Sequence, residues 1–406
     1  MKKITKISLR SCVTGILLSV SLSASSVSYG AAQETAPQTV QAAARRAAYE
    51  SLRDSQLITL AGGAGRGLED GSKDHSRFSA PLGIDVRDGT VIITDTENNL
   101  IRSYHGNRTV TYAGRVAGRD AYGAALGGFR DSSYGLARFN KPSDCVWLPN
   151  GQAAIADRDN NAIRIAGRAW IYTLNGTGES GYQEGAPGKA MFSMPSGIAA
   201  DNSGNLYVAD TGNHCIRKIR PDGHTSLAAG VPGQSGLKDG GVREALFTEP
   251  SSIAVAEDGS LYVADTGNQR IRRIADGQVT TLAGGSMAPY LDTEYRRPGL
   301  KDGEGQEAEF WFPEGICMAG PVAVVADTGN HVIRAVSPQG YTQVIAGTGE
   351  AGWQDGPALE GALNRPADVA WEDGILYIMD SGGNALRSME FEPQAWLESL
   401  EGHEPV

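Results

Sequence analysis

The strongest constraint on this chain is a short pattern that returns six times in register. Residues 206–217 read LYVADTGNHCIR, residues 261–272 read LYVADTGNQRIR, and residues 324–334 read VVADTGNHVIR. Looser copies are ITDTENNLIR at 93–102, IADRDNNAIR at 155–164 and IMDSGGNALR at 378–387. Each copy carries an aspartate at the same point (Asp95, Asp157, Asp210, Asp265, Asp327 and Asp380). Each has an arginine seven residues later: Arg102, Arg164, Arg217, Arg272, Arg334 and Arg387. A fixed period of this kind means that one small unit is stacked against copies of itself, because no unit buries its apolar face alone.

The unit can be read strand by strand. It opens at a proline (Pro81, Pro142, Pro195, Pro250, Pro313, Pro366) followed by a short apolar run. A second run ends at the aspartate, a third contains the Ile-Arg pair, and a fourth ends near Ala-Gly, as in VTTLAG at 279–284. Alternation of apolar with small or polar residues predicts strands. Asp-Thr-Gly-Asn supplies a turn, since Asx side chains bond locally and glycine accepts positive φ. Four antiparallel strands repeated six times predict an all-β, six-bladed β-propeller. The 53 glycines fit such a turn-rich chain.

Closure of the ring is also predicted. The sixth unit runs out near Phe391 without a fourth strand, whereas residues 57–62 (LITLAG) match the fourth-strand pattern. This N-terminal strand should complete the last blade and hide two sheet edges. A second element recurs once per connection: GLEDG at 67–71, GFRDS at 128–132, GYQEG at 181–185, GLKDG at 236–240 and 299–303, and GWQDG at 352–356. Antiparallel order puts the Asp-Thr-Gly-Asn tips on one face, the top, and these connections are expected there too. Intervals between the aspartates are 62, 53, 55, 62 and 53 residues, with the excess in 115–127 and 286–298. Those two connections are expected to stand opposite each other and flank a groove over the channel, and long loops on a rigid scaffold are where binding usually resides.

The six registered copies resemble the NHL-repeat family, whose units carry a D-T-G-N-x-x-I-R stretch and a preceding proline. The resemblance covers roughly residues 57–392 and implies a propeller that serves as an interaction domain. The rest of the chain divides into 1–32, 33–56 and 393–406. Lys2, Lys3, Lys6 and Arg10, followed by an apolar stretch at 13–20 and small residues, read as a signal peptide over 1–32. Residues 33–56 read as a helical linker and 393–406 as a C-terminal tail. Export to the periplasm or the outside of the cell is therefore expected. The mature chain contains no run of about 20 apolar residues that would span a membrane. Beyond the leader stand Cys145, Cys215 and Cys317, an odd set without C-x-x-C spacing, which predicts neither a disulfide framework nor a zinc cluster. The net charge of −11 argues against nucleic acid, whose phosphates need clustered Lys and Arg.

Candidate site residues follow from the repeat. The six Asp–Arg pairs are expected to hold blades together, because a catalytic group is rarely needed six times. Turn position five gives a polar ring (Asn99, Asn161, His214, Gln269, His331 and Asn384) that is a candidate surface for a ligand or peptide. Two residues after each proline stand Gly83, Asp144, Gly197, Ser252, Gly315 and Asp368. The acids Asp144 and Asp368, with Glu314 and Asp85 nearby, are candidate oxygen ligands for a divalent cation such as calcium; no other cofactor is indicated. Phe129, Tyr182 and Trp353, at one loop position, are expected to wedge between blades. The function expected is a monomeric, non-catalytic binding scaffold for a protein, peptide or surface glycan. The alternative is a metal-dependent lactonase- or lyase-like enzyme with its site at the channel mouth.

Overall fold

The computed structural model describes residues 52, 54–63, 65–286, 288–291, 293 and 295–400. The expected leader, 1–32, and most of the expected linker lie outside the described residues. Six antiparallel sheets follow one another round a central axis. Blade two shows the plan: Pro142–Trp147, Ala153–Asp157, Ala162–Ala166 and Trp170–Asn175 pair in that order from the axis outward. Strand one of each blade packs against strand one of the next, and the blade-six strand Pro366–Glu372 meets the blade-one strand Ile84–Arg87. The ring therefore closes. Its closing strand, Gln56–Gly62, pairs antiparallel with Ala385–Glu390, and this completes blade six from the other end of the chain.

The core is divided among the seams. Six apolar clusters lie between adjacent blades, and five of them contain a buried phenylalanine three residues before the next proline: Phe78, Phe139, Phe192, Phe247 and Phe310, with Leu363 in the sixth. Burial of such rings against both neighbours is the main attraction between blades, at roughly 1.5–3 kcal/mol per side chain.

Two expectations change. The Gly-x-x-Asp-Gly connections run down the outer edges of the blades, not along the top. Gly71–Ser72 pairs with Arg108 and Thr109, the end of strand four farthest from the Asp-Thr-Gly-Asn tips, and Gly240–Gly241 and Gly356–Pro357 do the same in blades four and six. In four of the connections an acid holds the loop against the edge: Asp131, Asp239, Asp302 and Asp355 accept the strand N–H groups of Thr173, Thr281, Val344 and Thr59. The exposed row of strand-four amides is covered in this way. Second, the C-terminal tail begins as a helix, Pro393–Leu400. Its Trp396 is buried beside Phe391, and the indole N–H donates to Gln343 Oε1 at 2.9 Å, which docks the helix on blade five. No described helix is long and apolar enough to cross a membrane.

Candidate functional site

The repeated Asp–Arg pair is the centre of a buried hub. In blade four, Asp265 Oδ1 accepts the Thr248 N–H at 2.8 Å. Its Oδ2 accepts from Asn268 Nδ2 at 2.9 Å and from Arg272 Nη1 at 2.6 Å. Arg272 also donates to the carbonyls of Leu246 and Lys238 and to Asp239 Oδ1, and its guanidinium lies 5.1 Å from the centre of the Phe247 ring. All six arginines are fully buried. Five pair with two acids each, the second being Asp70, Asp131, Asp239, Asp302 or Asp355. Arg217 lies instead 4.3 Å from the centre of the Tyr182 ring, whose hydroxyl donates to Glu184. Each hub thus ties strands two and three to the incoming connection.

The turn-position-five ring has its own repeated task. All six residues sit in the left-handed region, φ 48–58°. Their side chains accept the N–H of the residue before the next blade's proline. Asn99, Asn161 and Asn384 do so through Oδ1 to Lys141, Met194 and Ala80; Gln269 does so through Oε1 to Phe312. His214 and His331 use Nδ1, accepting from Glu249 at 3.1 Å and Arg365 at 2.9 Å. The six residues that receive this latch also have positive φ, 42–53°, a strained conformation for side-chain-bearing residues. The ring expected to face a ligand therefore spends its acceptors on neighbouring blades, and only Asn384 lines the mouth of the channel.

That mouth is a cavity of about 560 Å³. Its lining takes in five residues of the ring two after the prolines, all but Gly197. Gly83, Gly197 and Gly315 alternate there with Asp144, Ser252 and Asp368, and the alternation is steric: a Cβ on Gly83 would lie 2.5 Å from Asp144 Cα, and one on Gly315 would lie 2.4 Å from Asp368 Cα. Asp144 Oδ2 accepts the Ile198 N–H and Asp368 Oδ2 accepts the Ile84 N–H, each at 2.8 Å, so both acids clamp the following blade. Asp85 does the same below them, accepting from Trp147 N–H at 2.7 Å. Burial raises all of these carboxyls, Asp85 to about 7 and Asp368 to about 8; Asp144 is raised by burial and further by Asp368. A smaller cavity of about 170 Å³ continues beneath, lined by Asp85 and by the free thiols of Cys145 and Cys317.

Among the described residues no group of three or more His, Cys, Asp or Glu is placed to hold a metal ion. Asp144, Asp368 and Glu314 do line one cavity, but they do not converge on one point, and the two aspartates are already engaged by backbone N–H groups. Neither long connection contributes a described residue to the cavity wall, so the expected pair of flanking loops does not form it. The 286–298 connection reaches it indirectly, where the Tyr295 hydroxyl donates to Glu249 Oε2 at 2.8 Å. Phe129 and Trp353 lie against the glycines of other connections, Gly178 and Gly63, although each is about half exposed.

Four charged wall residues are not among the expected site residues: Arg66, Arg158, Glu249 and Arg365. Arg158 had a sequence signal. Turn position two is Thr96, Thr211, Thr266, Thr328 and Ser381 in the other blades, and in blade two it is arginine. The four threonines each donate to the carbonyl of the next blade's proline, as Thr211 does to Pro250 at 2.7 Å. Arg158 gives up that bond, and Ser143 Oγ approaches the Pro195 carbonyl in its place, at 3.3 Å. Glu314 departs in the same way: the residue after the proline is Leu82, Ser143, Ser196, Ser251 and Ala367 elsewhere.

Comparison with known proteins agrees with the architecture. The family model for the teneurin NHL domain matches residues 152–275. NHL repeat-containing protein 2 of Gallus gallus is 26% identical over 358 residues, covering 84% of this chain and 43% of that protein. Teneurin-3 of Mus musculus is 38% identical over 214 residues, covering 46% of this chain and 7% of that protein. The chain thus spans less than half the length of these relatives. Among solved structures, an auxiliary nutrient binding protein of Bacteroides thetaiotaomicron superposes with a TM-score of 0.61 at 15% identity, covering 84% of this chain and 77% of that one; the likeness is one of fold.

Proposed function

We propose that this chain, which belongs to the NHL-repeat propeller family, is an exported binding protein that seats its ligand in the cavity at the mouth of its channel. One observation carries this reading. The hubs and latches repeat six times and are engaged within and between the blades, whereas the mouth collects charged side chains that break the repeat and line an open cavity of about 560 Å³. That volume lies within the range of roughly 300–1,000 Å³ typical of small-ligand sites. The partner is a small molecule or the end of a larger one, such as a peptide or a surface glycan. Nothing in the wall resembles a nucleophile with its base, so binding is favoured over chemistry.

A plug tests the reading. Ser196 lines the cavity and is half buried; its hydroxyl donates to the Met194 carbonyl, and its own carbonyl, which a substitution keeps, accepts from Ser143 Oγ. Ser196→Trp should fill the mouth and leave the fold intact. Native mass spectrometry of the protein incubated with mixed short peptides, oligosaccharides and organic acids should show adducts that the plugged variant loses. Adducts retained equally by both proteins would place binding elsewhere and remove this proposal.

A further inference from the structure

The two positions where the repeat is broken by charge are not randomly placed. Arg158 lies at the top of blade two and Glu314 at the inner end of blade five, and in a ring of six these blades face each other across the axis. Each is the single charged residue at its repeat position, and both line the mouth cavity. Their neighbours extend the polarity. Arg365, before the blade-six proline, and Arg66, in the connection into blade one, add positive charge; Glu249, before the blade-four proline, adds negative charge opposite Arg66.

These charges do not neutralise one another. No ion pair links Arg66, Arg158 or Arg365 to Glu249 or Glu314 among the described residues. Arg158 reaches only its own neighbour, Asp159, at 3.1 Å, and Glu249 is held by the Tyr295 hydroxyl. Burial raises the Glu314 carboxyl to about 7, while Arg365, Arg158 and a hydrogen bond from the Thr328 hydroxyl pull it back. A concave site lined by arginines and glutamates that form no ion pair with one another is matched by a ligand that carries both charges. An anion alone leaves the acids without a partner, and a cation alone leaves the arginines without one. Desolvating a charge without a partner is costly, so the mismatch discriminates.

We infer that the mouth cavity takes a short peptide with free termini, its carboxylate received by Arg158 with Arg66 and its ammonium by Glu314 and Glu249. This rests on the cavity being the ligand site. Guanidinium groups present paired donors to a carboxylate, and a carboxylate accepts from an ammonium, so each pole suits its terminus. The cavity is larger than a single free amino acid requires, which favours two to four residues.

The test uses the full chain and four probes: trialanine, its N-acetyl form, its C-terminal amide and free alanine, each titrated by calorimetry at pH 7.5. Trialanine should bind at least tenfold more tightly than either blocked form or free alanine. Glu314→Gln should abolish the preference for a free amino end, so that N-acetyl-trialanine binds it as well as trialanine does. Arg158→Gln should abolish the preference for a free carboxyl end. Both variants are conservative in size, and circular dichroism checks their folding. Equal binding of the blocked and free peptides by the unaltered chain overturns the inference, as does binding of free alanine as tight as that of trialanine. If peptides fail to bind but neutral oligosaccharides bind and are lost in Ser196→Trp, the zwitterion inference falls while the cavity reading stands. If no ligand is sensitive to Ser196→Trp, both fall.

Discussion

The hubs and the mouth are made from the same residue types and behave in opposite ways. In blade four, Arg272 is fully buried, donates to two carboxylates and two carbonyls, and is covered by Phe247. At the mouth, Arg158 keeps about a quarter of its side chain exposed and meets one exposed aspartate; Arg365 is exposed with no acid in ion-pair range. The first arrangement recurs in every blade because each seam needs it. The second occurs once. In a propeller, then, buried, paired and repeated charge marks architecture, and partly exposed charge that breaks the repeat marks the place open to a partner.

The widest separation between the two regions should appear in stability. Arg272→Met strands Asp265 and Asp239 without their cation, one fully buried and one half-exposed, and should cost about 3–5 kcal/mol, the usual penalty for removing one partner of a buried pair. Arg272→Lys should recover little, because an ammonium cannot divide itself among two acids and two carbonyls in the plane over a ring. Arg158→Gln should change stability by less than about 0.5 kcal/mol. Chemical denaturation of the three variants measures this directly. A comparable loss at Arg158 would erase the distinction and return the mouth to the architecture.

The channel acids, between the two regions in character, should make themselves felt through pH. Asp85 and Glu314 are raised to about 7, Asp368 to about 8, and Asp144 is raised with it, all by burial. Their unfolded values lie near 4, so the folded protein holds protons that the unfolded chain releases. Their stabilising contribution is complete below about pH 4 and is lost as pH rises through 7–8. Asp355 works the other way, its carboxyl lowered, in spite of burial, by the Thr59 hydroxyl and amide and by Arg387, but its effect falls below pH 4. Between pH 5.5 and pH 8 the net expectation is therefore a loss of stability. Asp368→Asn, neutral at every pH, should flatten that slope even though it loses one backbone contact. A stability that rises from pH 5.5 to 8 would show these carboxyls to be ionised throughout.

Much of this was legible in the sequence, and the reason is repetition. Six copies of Asp with Arg at a fixed spacing set the number of blades, their strand order and the closure by residues 57–62, because each local rule was sampled six times. Features that depend on where a loop travels were not legible. Four of the acids in the Gly-x-x-Asp-Gly loops bond to mid-strand amides such as that of Thr281, and nothing local in those five residues says which amide they will find. The polar ring at turn position five looked outward because Asn, His and Gln share solubility; their common property is an acceptor that reaches the next blade. Arg158 and Glu314 were visible as departures from their columns. The regular columns drew attention first, and the exceptions carried the information about the mouth.

The latch gives the finest comparison, since three residue types perform one task. Asn161→Ala removes the acceptor for the Met194 N–H and also replaces asparagine at φ 48°, where it is among the better tolerated side chains. The expected cost is about 1–2 kcal/mol, that of a lost hydrogen bond plus local strain. His331 at φ 58° accepts the Arg365 N–H through Nδ1, which requires a neutral imidazole, and burial with Arg365 nearby lowers its proton affinity accordingly. His331→Asn should therefore leave stability within about 0.5 kcal/mol of the unaltered chain or raise it, because the amide oxygen serves the same N–H and the residue prefers the left-handed region. His331→Ala should cost about as much as Asn161→Ala. Thermal denaturation of the four proteins at pH 7.5 distinguishes the cases. If His331→Asn proves as damaging as His331→Ala, the imidazole does something at the mouth that an acceptor alone cannot, and His331 moves from the architecture to the site.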